Sequence, residues 1–574
     1  MDWLLGAILF IATAGVVLWQ NLRLAVLWDL SYILETSYRI SLGDVPYRDF
    51  PMPFAPLTFL TQAALIKLTG RALFHHVIYA AVAGGLATLL AWRILFHLLN
   101  ERIPFARLTA FLLSAPLIFL GIYSVLPHPF YDCDCTLAIL LAIFLLIELQ
   151  RKNFPPLGAF LTGTVVVVPL FVKQNTGLAF LAATLTSLAF LILLGRKNRR
   201  LVRGYVWTIA GAASGFALAL AFIHFTAGLT NYWHWTIRFA AERRLPPWRD
   251  LLAVYADPQM AWRIAAFGGG ALLFAFSRKA RPAVAWLSIF FLSLPFVWSV
   301  VALFSDDDPS DRAEKLLALW PFLLVVSLAC ALWGLRRDTG AARSGIALAL
   351  PFILIATVNG AFLSQQVWGS TYALWPLFII LCACTFSVLF REETLSASQS
   401  AKVSARFPAS ILTASLVSAS LLISGWYYVW SGERLSYAKI FEGEMARSTL
   451  PELAGLSMRG PWTREFEGLV RFAQQQIPMD DGLLMIPGED LFYYTTGRRP
   501  QFPALMFDHT VNPFSPEEIQ QIARSRNIRW LIFKNELQLN GEPVEEKERV
   551  LALLKRDFQF VQSVGIYDVY RRSL

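Results

Sequence analysis

Residues 131–177 read YDCDCTLAILLAIFLLIELQRKNFPPLGAFLTGTVVVVPLFVKQNTG. Two apolar runs, 135–149 and 155–172, are joined by the short basic break Arg151-Lys152-Asn153-Phe154. Hydrocarbon leaves backbone polar groups no partner outside the chain, so runs of this kind are helices. A helical hairpin follows. It puts Asp132, Asp134 and Lys173 at one membrane face and Arg151 with Lys152 at the other.

Comparable runs recur along the first three quarters of the chain. Its 574 residues are 56% hydrophobic and 16% charged, with a mean hydropathy of +0.51. Soluble domains are about one quarter charged, so the composition belongs to a polytopic membrane protein. Crossings fall near 3–21, 75–99, 105–124, 135–149, 155–172, 176–195, 204–225, 260–276, 283–304, 316–334, 344–363, 371–390 and 408–430. The intervening loops alternate in charge. The set 100–107, 150–154, 196–203, 277–282, 335–343 and 391–407 carries 18 Lys/Arg against four Asp/Glu. The other set holds Asp29, Asp49, Asp132, Asp134 and the run Asp306–Asp308, the last read as a solvated loop. By the positive-inside rule the basic set is cytoplasmic. The amino terminus is then inside, and everything after residue 430 is periplasmic or extracytoplasmic, on a multi-pass protein of the inner (plasma) membrane.

The pI of about 9.4 therefore reports topology and gives no reason to expect nucleic acid. Five cysteines exclude a disulfide scaffold. Cys330, Cys382 and Cys384 lie in apolar runs, and the Cys133–Cys135 spacing suits neither a relaxed disulfide nor a common zinc site. Met1-Asp2-Trp3 lacks a basic n-region, so the first run reads as a retained helix.

Two domains are expected: a transmembrane domain, 1–430, and an α/β domain, 431–574. In the tail, GLLMI (482–486) and IRWLIF (528–533) read as buried strands. SPEEIQQIARSR (515–526) opens like a capped helix, and FQFVQSVGIYDVYRR (558–572) reads as two strands about Gly565. Residues 30–42 and 54–69 read as amphipathic helices along the interface. NYWHWTIRFAAERRLPPW (231–248) reads as a third, ended by Pro246-Pro247. A Ser/Ala/Lys-rich loop at 395–409 is the flexible-looking cytoplasmic segment.

Carboxylates beside lipid are costly unless solvated, paired or functional. Asp29 stands at the exit of the first crossing, and Asp132 with Asp134 at the start of the fourth, on the same face. A carboxylate there could take the proton of an attacking hydroxyl. A second could orient the acceptor or, as Asp132 and Asp134 together, hold a divalent cation such as Mg or Mn. Lys173, Arg238, Arg243 and Arg244 could bind a phosphate leaving group. Asp49 and His128 are secondary candidates, His128 being first of all a loop residue between prolines. Each has a plainer reading: Asp29 as a solvated helix terminus, Asp132 and Asp134 as first-turn acids favouring the macrodipole, Lys173 as a snorkelling cation, the arginines as interfacial anchors.

Three stretches carry a family resemblance. WDLSYILETSYRISLGDVPYRDF with PLTFLTQAALIKLTG (28–70) resembles the first outer loop of polytopic glycosyltransferases with the C-type (GT-C) fold. YDCDCTLAILLAIFLLIEL (131–149) resembles their fourth helix, and MIPGEDLFYYTTGRRPQF (485–502) their tail. The likeness is closest to the bacterial branch related to protein O-mannosyltransferases and lipid A aminoarabinose transferases. It implies about 13 transmembrane helices and an outer α/β tail. It also implies transfer of a sugar from a polyprenyl-phosphate donor to a lipid, glycan or protein acceptor. By this resemblance Asp29 takes the place of the acid that acts as base or at the acceptor, and Asp134 or Asp132 that of the second acid. Leu30 follows Asp29 where many members have Asp-Glu. Phe54-Ala55-Pro56 stands where the aminoarabinose branch commonly has Lys-Pro-Pro. The missing lysine puts weight on Lys173 and the arginines and argues against that branch's own substrate. The competing readings are a transporter or flippase for a lipid-linked sugar and a non-catalytic envelope assembly subunit.

Overall fold

A computed structural model describes residues 2–100, 102–277, 282–305, 312, 315–337, 345–391, 407–440, 442–540 and 544–572. The Asp306–Asp308 run, the Arg278-Lys279-Arg281 break and most of the 395–409 loop lie outside them. Twelve of the thirteen apolar stretches are single helices of 15 to 28 residues. Among the described residues seven helices are long and apolar enough to cross a membrane alone. The shorter Pro156–Val172, Ile346–Ala361 and Trp375–Leu389 lie among them.

Through residue 226 the helices are α1 (Asp2–Asn21), α2 (Leu27–Ser41), α3 (Leu57–Thr69), α4 (Leu73–Leu99), α5 (Ala106–Ser114), α6 (Leu117–Leu120), α7 (Tyr131–Arg151), α8 (Pro156–Val172), α9 (Gln174–Leu194) and α10 (Arg199–Thr226). The expected crossing at 105–124 is the exception, broken into α5 and α6. Pro116 sits at the break, where it cannot donate to the helix ladder and its ring crowds the preceding turn. Residues 121–129, which follow α6, are buried in the bundle, the setting in which non-helical backbone is tolerated at membrane depth.

Helices α8 and α10 touch backbone to backbone. A Cβ on Gly163 would lie 1.9 Å from the Thr208 carbonyl oxygen, and one on Gly211 1.9 Å from that of Phe160. Small residues at a crossing are what membrane helices use when no hydrophobic effect drives them together. The contact fixes the path of α8 toward Lys173, which has extended backbone between α8 and α9.

The tail carries a two-stranded ribbon, β1 (Met445–Arg447) with β2 (Ser457–Arg459), and a four-stranded sheet. The sheet comprises β3 (Gly482–Ile486), β4 (Ile528–Lys534), β5 (Phe558–Val564) and β6 (Tyr567–Arg572), in the order β3-β4-β6-β5. The β3–β4 pair is parallel, linked through helix Pro516–Ser525, and the others are antiparallel. Ser515 caps that helix reciprocally with Glu518, as its sequence requires. β3 and β4 are buried along nearly their whole length, which their unbroken apolar runs demand.

The first loop departs from its expected form. Helices α2 and α3 are present, but α2 does not lie free along an interface. Ten of its residues are buried, Glu35 and Arg39 among them. The backbone N–H of Tyr494 donates to Glu35 at 3.1 and 3.2 Å. Arg39 pairs with Asp44 at 2.7 Å and donates to the carbonyls of Phe502 and Pro503 at 2.9 and 3.0 Å. Ser31 donates to the Gly488 carbonyl at 2.8 Å, and Tyr38 to that of Gly497 at 2.8 Å. The tail stretch 488–503 is thus clamped on α2. Asp49 closes the turn after α2, accepting from the Val45 N–H at 2.7 Å and pairing with Arg48 at 2.9 Å.

Replacing Gly211 by Val should push α8 and α10 apart. Overpacking of this kind costs about 1–3 kcal/mol. The expected outcome is a lower melting temperature of the detergent-purified protein, with the Gly211→Ala variant intermediate.

Candidate functional site

The beginning of α2, the beginning of α7, the 364–372 segment and the tail enclose a cavity of about 250 Å³. Asp29, in the first turn of α2, lines it. The Tyr437 hydroxyl donates to Asp29 Oδ2 at 2.8 Å. His128 Nε2 stands 3.8 Å from the same oxygen, beyond hydrogen-bond reach. Both imidazole nitrogens of His128 are buried without a partner, and burial pulls its pKa down to about 3. The ring is neutral. Asp29 moves the other way. Burial pushes its pKa up to about 6, the Tyr437 hydrogen bond opposes the rise, and the nearby Asp132 charge adds to it.

Asp132 also faces the cavity, from the first turn of α7. Lys173 donates to Asp132 and to Ser370, so its charge is matched by a carboxylate at the cavity wall. Asp134, further along the same turn of α7, is not in that wall. It accepts from Thr58 at 2.7 Å, from Tyr79 at 2.8 Å and from Tyr123. Three hydroxyls brought from three parts of the chain satisfy this carboxylate and tie α3, α4 and the 121–130 loop to α7. Of the two candidates for second acid, the cavity receives Asp132.

The cations separate as sharply. Arg238 is 68% exposed and pairs with Glu242 at 3.1 Å, away from the cavity. Arg243 donates to the carbonyls of His509 and Asn512 at 2.7 and 3.2 Å and so holds the tail. Arg244 lines the cavity, its guanidinium 4.3 Å from the centre of the Phe54 ring. Its polar contacts, to the Thr510 carbonyl and hydroxyl, are long at 3.4 Å. Among the described residues it has no carboxylate partner. A π-helical stretch, His234–Phe239, precedes it in the expected helix before Pro246-Pro247. Its wider turn breaks the 100° stepping by which Arg238 and Arg244 would be compared on a helical wheel.

Sequence reasoning missed several residues here. Tyr32, one turn beyond Asp29, lines the cavity with its hydroxyl buried and unpartnered, and its ring packs on Phe54 with centroids 4.9 Å apart. The i, i+3 spacing from Asp29 was the available signal. Tyr437 and Arg434 also line the cavity, from just past the last membrane helix. Arg434 donates to the Val125 carbonyl at 2.7 Å and to that of Tyr428, and burial holds its pKa down to about 10. Ser364, Gln365 and Gln366 add uncharged polar groups.

The residues do not fit a divalent cation. The Asp132 carboxylate is engaged by an ammonium and that of Asp134 by three hydroxyls. Among the described residues no three His, Cys, Asp or Glu side chains come together as ligands.

No protein-family model matches the chain, and no curated protein matches it in sequence. Solved structures similar to it include the oligosaccharyltransferase of Archaeoglobus fulgidus in complex with zinc and sulfate (13% identity, 98% of this chain and 73% of that chain, TM-score 0.45). ArnT of Cupriavidus metallidurans bound to undecaprenyl phosphate is another (12% identity, 98% of this chain and 97% of that chain, TM-score 0.40). A third is the arabinofuranosyltransferase AftD from Mycobacteria (12% identity, 98% of this chain and 40% of that chain, TM-score 0.43).

Asp134→Leu should leave three buried hydroxyls without their acceptor, at about 1–3 kcal/mol per group. The expected readout is a clear drop in melting temperature. Asp134→Asn, which keeps one acceptor oxygen, should lie between it and the native protein.

Proposed function

We propose that the protein is a membrane glycosyltransferase that moves a sugar from a polyprenyl-phosphate donor to an acceptor hydroxyl. The observation that carries this reading is Asp29. It is a carboxylate lining a cavity, shifted toward neutral pH, with Arg244 lining the same cavity and, among the described residues, no acid taking up that arginine's charge. A general base works best when its pKa lies near the working pH. A guanidinium held flat on an aromatic ring keeps its fork of donors for a phosphate.

The transfer is one displacement. The acceptor hydroxyl gives its proton to the Asp29 carboxylate, and its oxygen forms the new bond to the anomeric carbon. The bond from that carbon to the lipid phosphate oxygen breaks, and the electron pair leaves with the phosphate. Negative charge grows on the phosphate as that bond lengthens, so the Arg244 guanidinium and the Tyr32 hydroxyl stabilise the transition state more than the ground state. Asp132, neutralised by Lys173, presents a hydrogen-bond acceptor for orienting a substrate hydroxyl. Ser364, Gln365 and Gln366 suit the remaining hydroxyls of a sugar. The quoted first-loop, fourth-helix and tail stretches support the same class by their family resemblance. The donor face is the outer one in the topology that the loop charges imply.

Asp29→Asn should lower transfer by about 10²–10⁴-fold, the usual range for loss of a general base, while leaving the melting curve in place. Retention of native turnover would remove Asp29 from the chemistry. Arg244→Ala should cut kcat strongly, and Arg238→Ala should leave it within twofold, both measured with a purified polyprenyl-phosphate sugar.

The pH profile has a defined sign. Asp29 acts as base only when ionised, so kcat should rise with pH through about 6 and then level off. Full activity in excess chelator is expected, since the engaged carboxylates offer a cation no place. Product formed in detergent, where no second compartment exists, separates transfer from lipid flipping.

A further inference from the structure

The tail does more than roof the cavity. Gln538, in the segment after β4, reaches the amino terminus of α2: its Oε1 accepts from the Leu27 N–H at 2.8 Å, and its Nε2 donates to the Ala25 carbonyl at 3.0 Å. Leu27 is the first residue of α2, and its N–H is among those a helix start leaves without an internal partner. Asp29 lies two residues on. Neighbours of Gln538 also hold the residues around Tyr437. The Asn540 N–H donates to the Tyr437 carbonyl at 2.8 Å, and the Lys439 N–H to that of Gln538 at 2.8 Å. One short segment therefore grips Asp29 from both sides, through the helix start that carries it and through the tyrosine bonded to its carboxylate.

That segment is itself pinned from the core of the tail. Glu489 accepts from the Gln538 and Leu539 N–H groups at 2.9 and 3.1 Å. It is fully buried and paired with Lys534 at 2.5 Å, and Lys534 also reaches Asp490 at 2.9 Å. Two acids and one lysine buried together form a costly arrangement unless the geometry is fixed by further hydrogen bonds. Here those bonds run to the segment that holds the cavity acid. We propose that Gln538, braced by the Glu489–Lys534 pair, and Tyr437 are positioning residues that hold the Asp29 carboxylate for proton transfer. The tail is then a working part of the site. This rests on Asp29 being the base.

Among the described residues, few groups face Asp29. Tyr437 comes from the tail, His128 from the 121–130 loop, and Tyr131 with Asp132 from α7, with Arg434 behind Tyr437. Tyr437 favours the ionised form of the acid, so loosening it should make the carboxyl harder to ionise.

The test uses the full chain in detergent and two variants, Tyr437→Phe and Gln538→Leu. The first removes a single oxygen and keeps the packing. Labelling of Asp29 by a hydrophobic carbodiimide, which reacts with the protonated carboxyl, is followed by mass spectrometry across pH and needs no turnover. In both variants the midpoint should move up from about 6 by about one pH unit, the scale of one hydrogen bond to a carboxylate. The rise of kcat with pH should move with it. At pH 7 kcat should fall about tenfold, with KM for the donor within twofold, as expected when positioning and not binding is lost. Glu489→Gln, which removes the carboxylate from Lys534 and turns an amide N–H toward a donor, should move both readouts in the same direction by a smaller amount. A native labelling midpoint and native kcat in both variants would overturn the proposal and leave the base assignment intact. An active Asp29→Asn protein would overturn the assignment instead, whatever the labelling shows.

Discussion

Glu35 and Arg39 are out of water on α2, and backbone groups of the tail, with Asp44 beside Arg39, satisfy them. A buried ionisable group left without partners costs several kcal/mol, so α2 reaches its place only with the 488–503 stretch laid across it. Much of the site follows from this constraint. The same helix carries Asp29 and Tyr32 into the cavity, and docking of the tail adds Tyr437, Asp508 and Thr510 to its lining. The membrane bundle supplies what remains: Asp132 from α7, with Lys173 behind it from the α8–α9 junction.

Electrostatics in the cavity follow from who is already engaged. Lys173 is spent on Asp132, and Arg434 on backbone carbonyls. Arg243 holds the tail, and Arg238 faces out beside Glu242. Asp508 is taken by the Thr510 N–H at 2.6 Å. Among the described residues of the wall, what is left is one guanidinium on an aromatic shelf and one carboxylate lifted toward neutrality. An anionic leaving group and a weakly acidic hydroxyl are the partners this pair suits.

The bundle was legible in the sequence because hydrocarbon imposes one rule on long apolar runs. Where 105–124 failed to be a single helix, Pro116 was the visible cause. The tail strands were legible for a related reason, since β3 and β4 are buried on both faces and read as unbroken apolar runs. The docking of α2 was not. An amphipathic helix shows the same pattern whether its polar residues meet headgroups or a folded domain, so Glu35 and Arg39 looked like solvated charges. Asp29 stood out as an acid just past an apolar run. The distinction between Asp132 and Asp134 did not, because it depends on hydroxyls at Thr58, Tyr79 and Tyr123 that no local pattern links. Tyr437 and Gln538 lie 408 and 511 residues from their partners Asp29 and Leu27, and the arginines of 238–244 were scrambled by a π-helical turn.

The clamp on α2 also sets an order of events during synthesis. Helix α2 is among the first segments made, but its partners at 437, 488–503 and 538 come after the last membrane helix. Until then Glu35 lacks the Tyr494 N–H and Arg39 has Asp44 but not the tail carbonyls, and the loop closure that brings the rest spans most of the chain. The helix must stay near the membrane surface while the bundle assembles behind it. Competence therefore arrives late and at once, when the tail folds across α2. A nascent chain stalled before residue 437 would carry nearly all of the bundle and no assembled site.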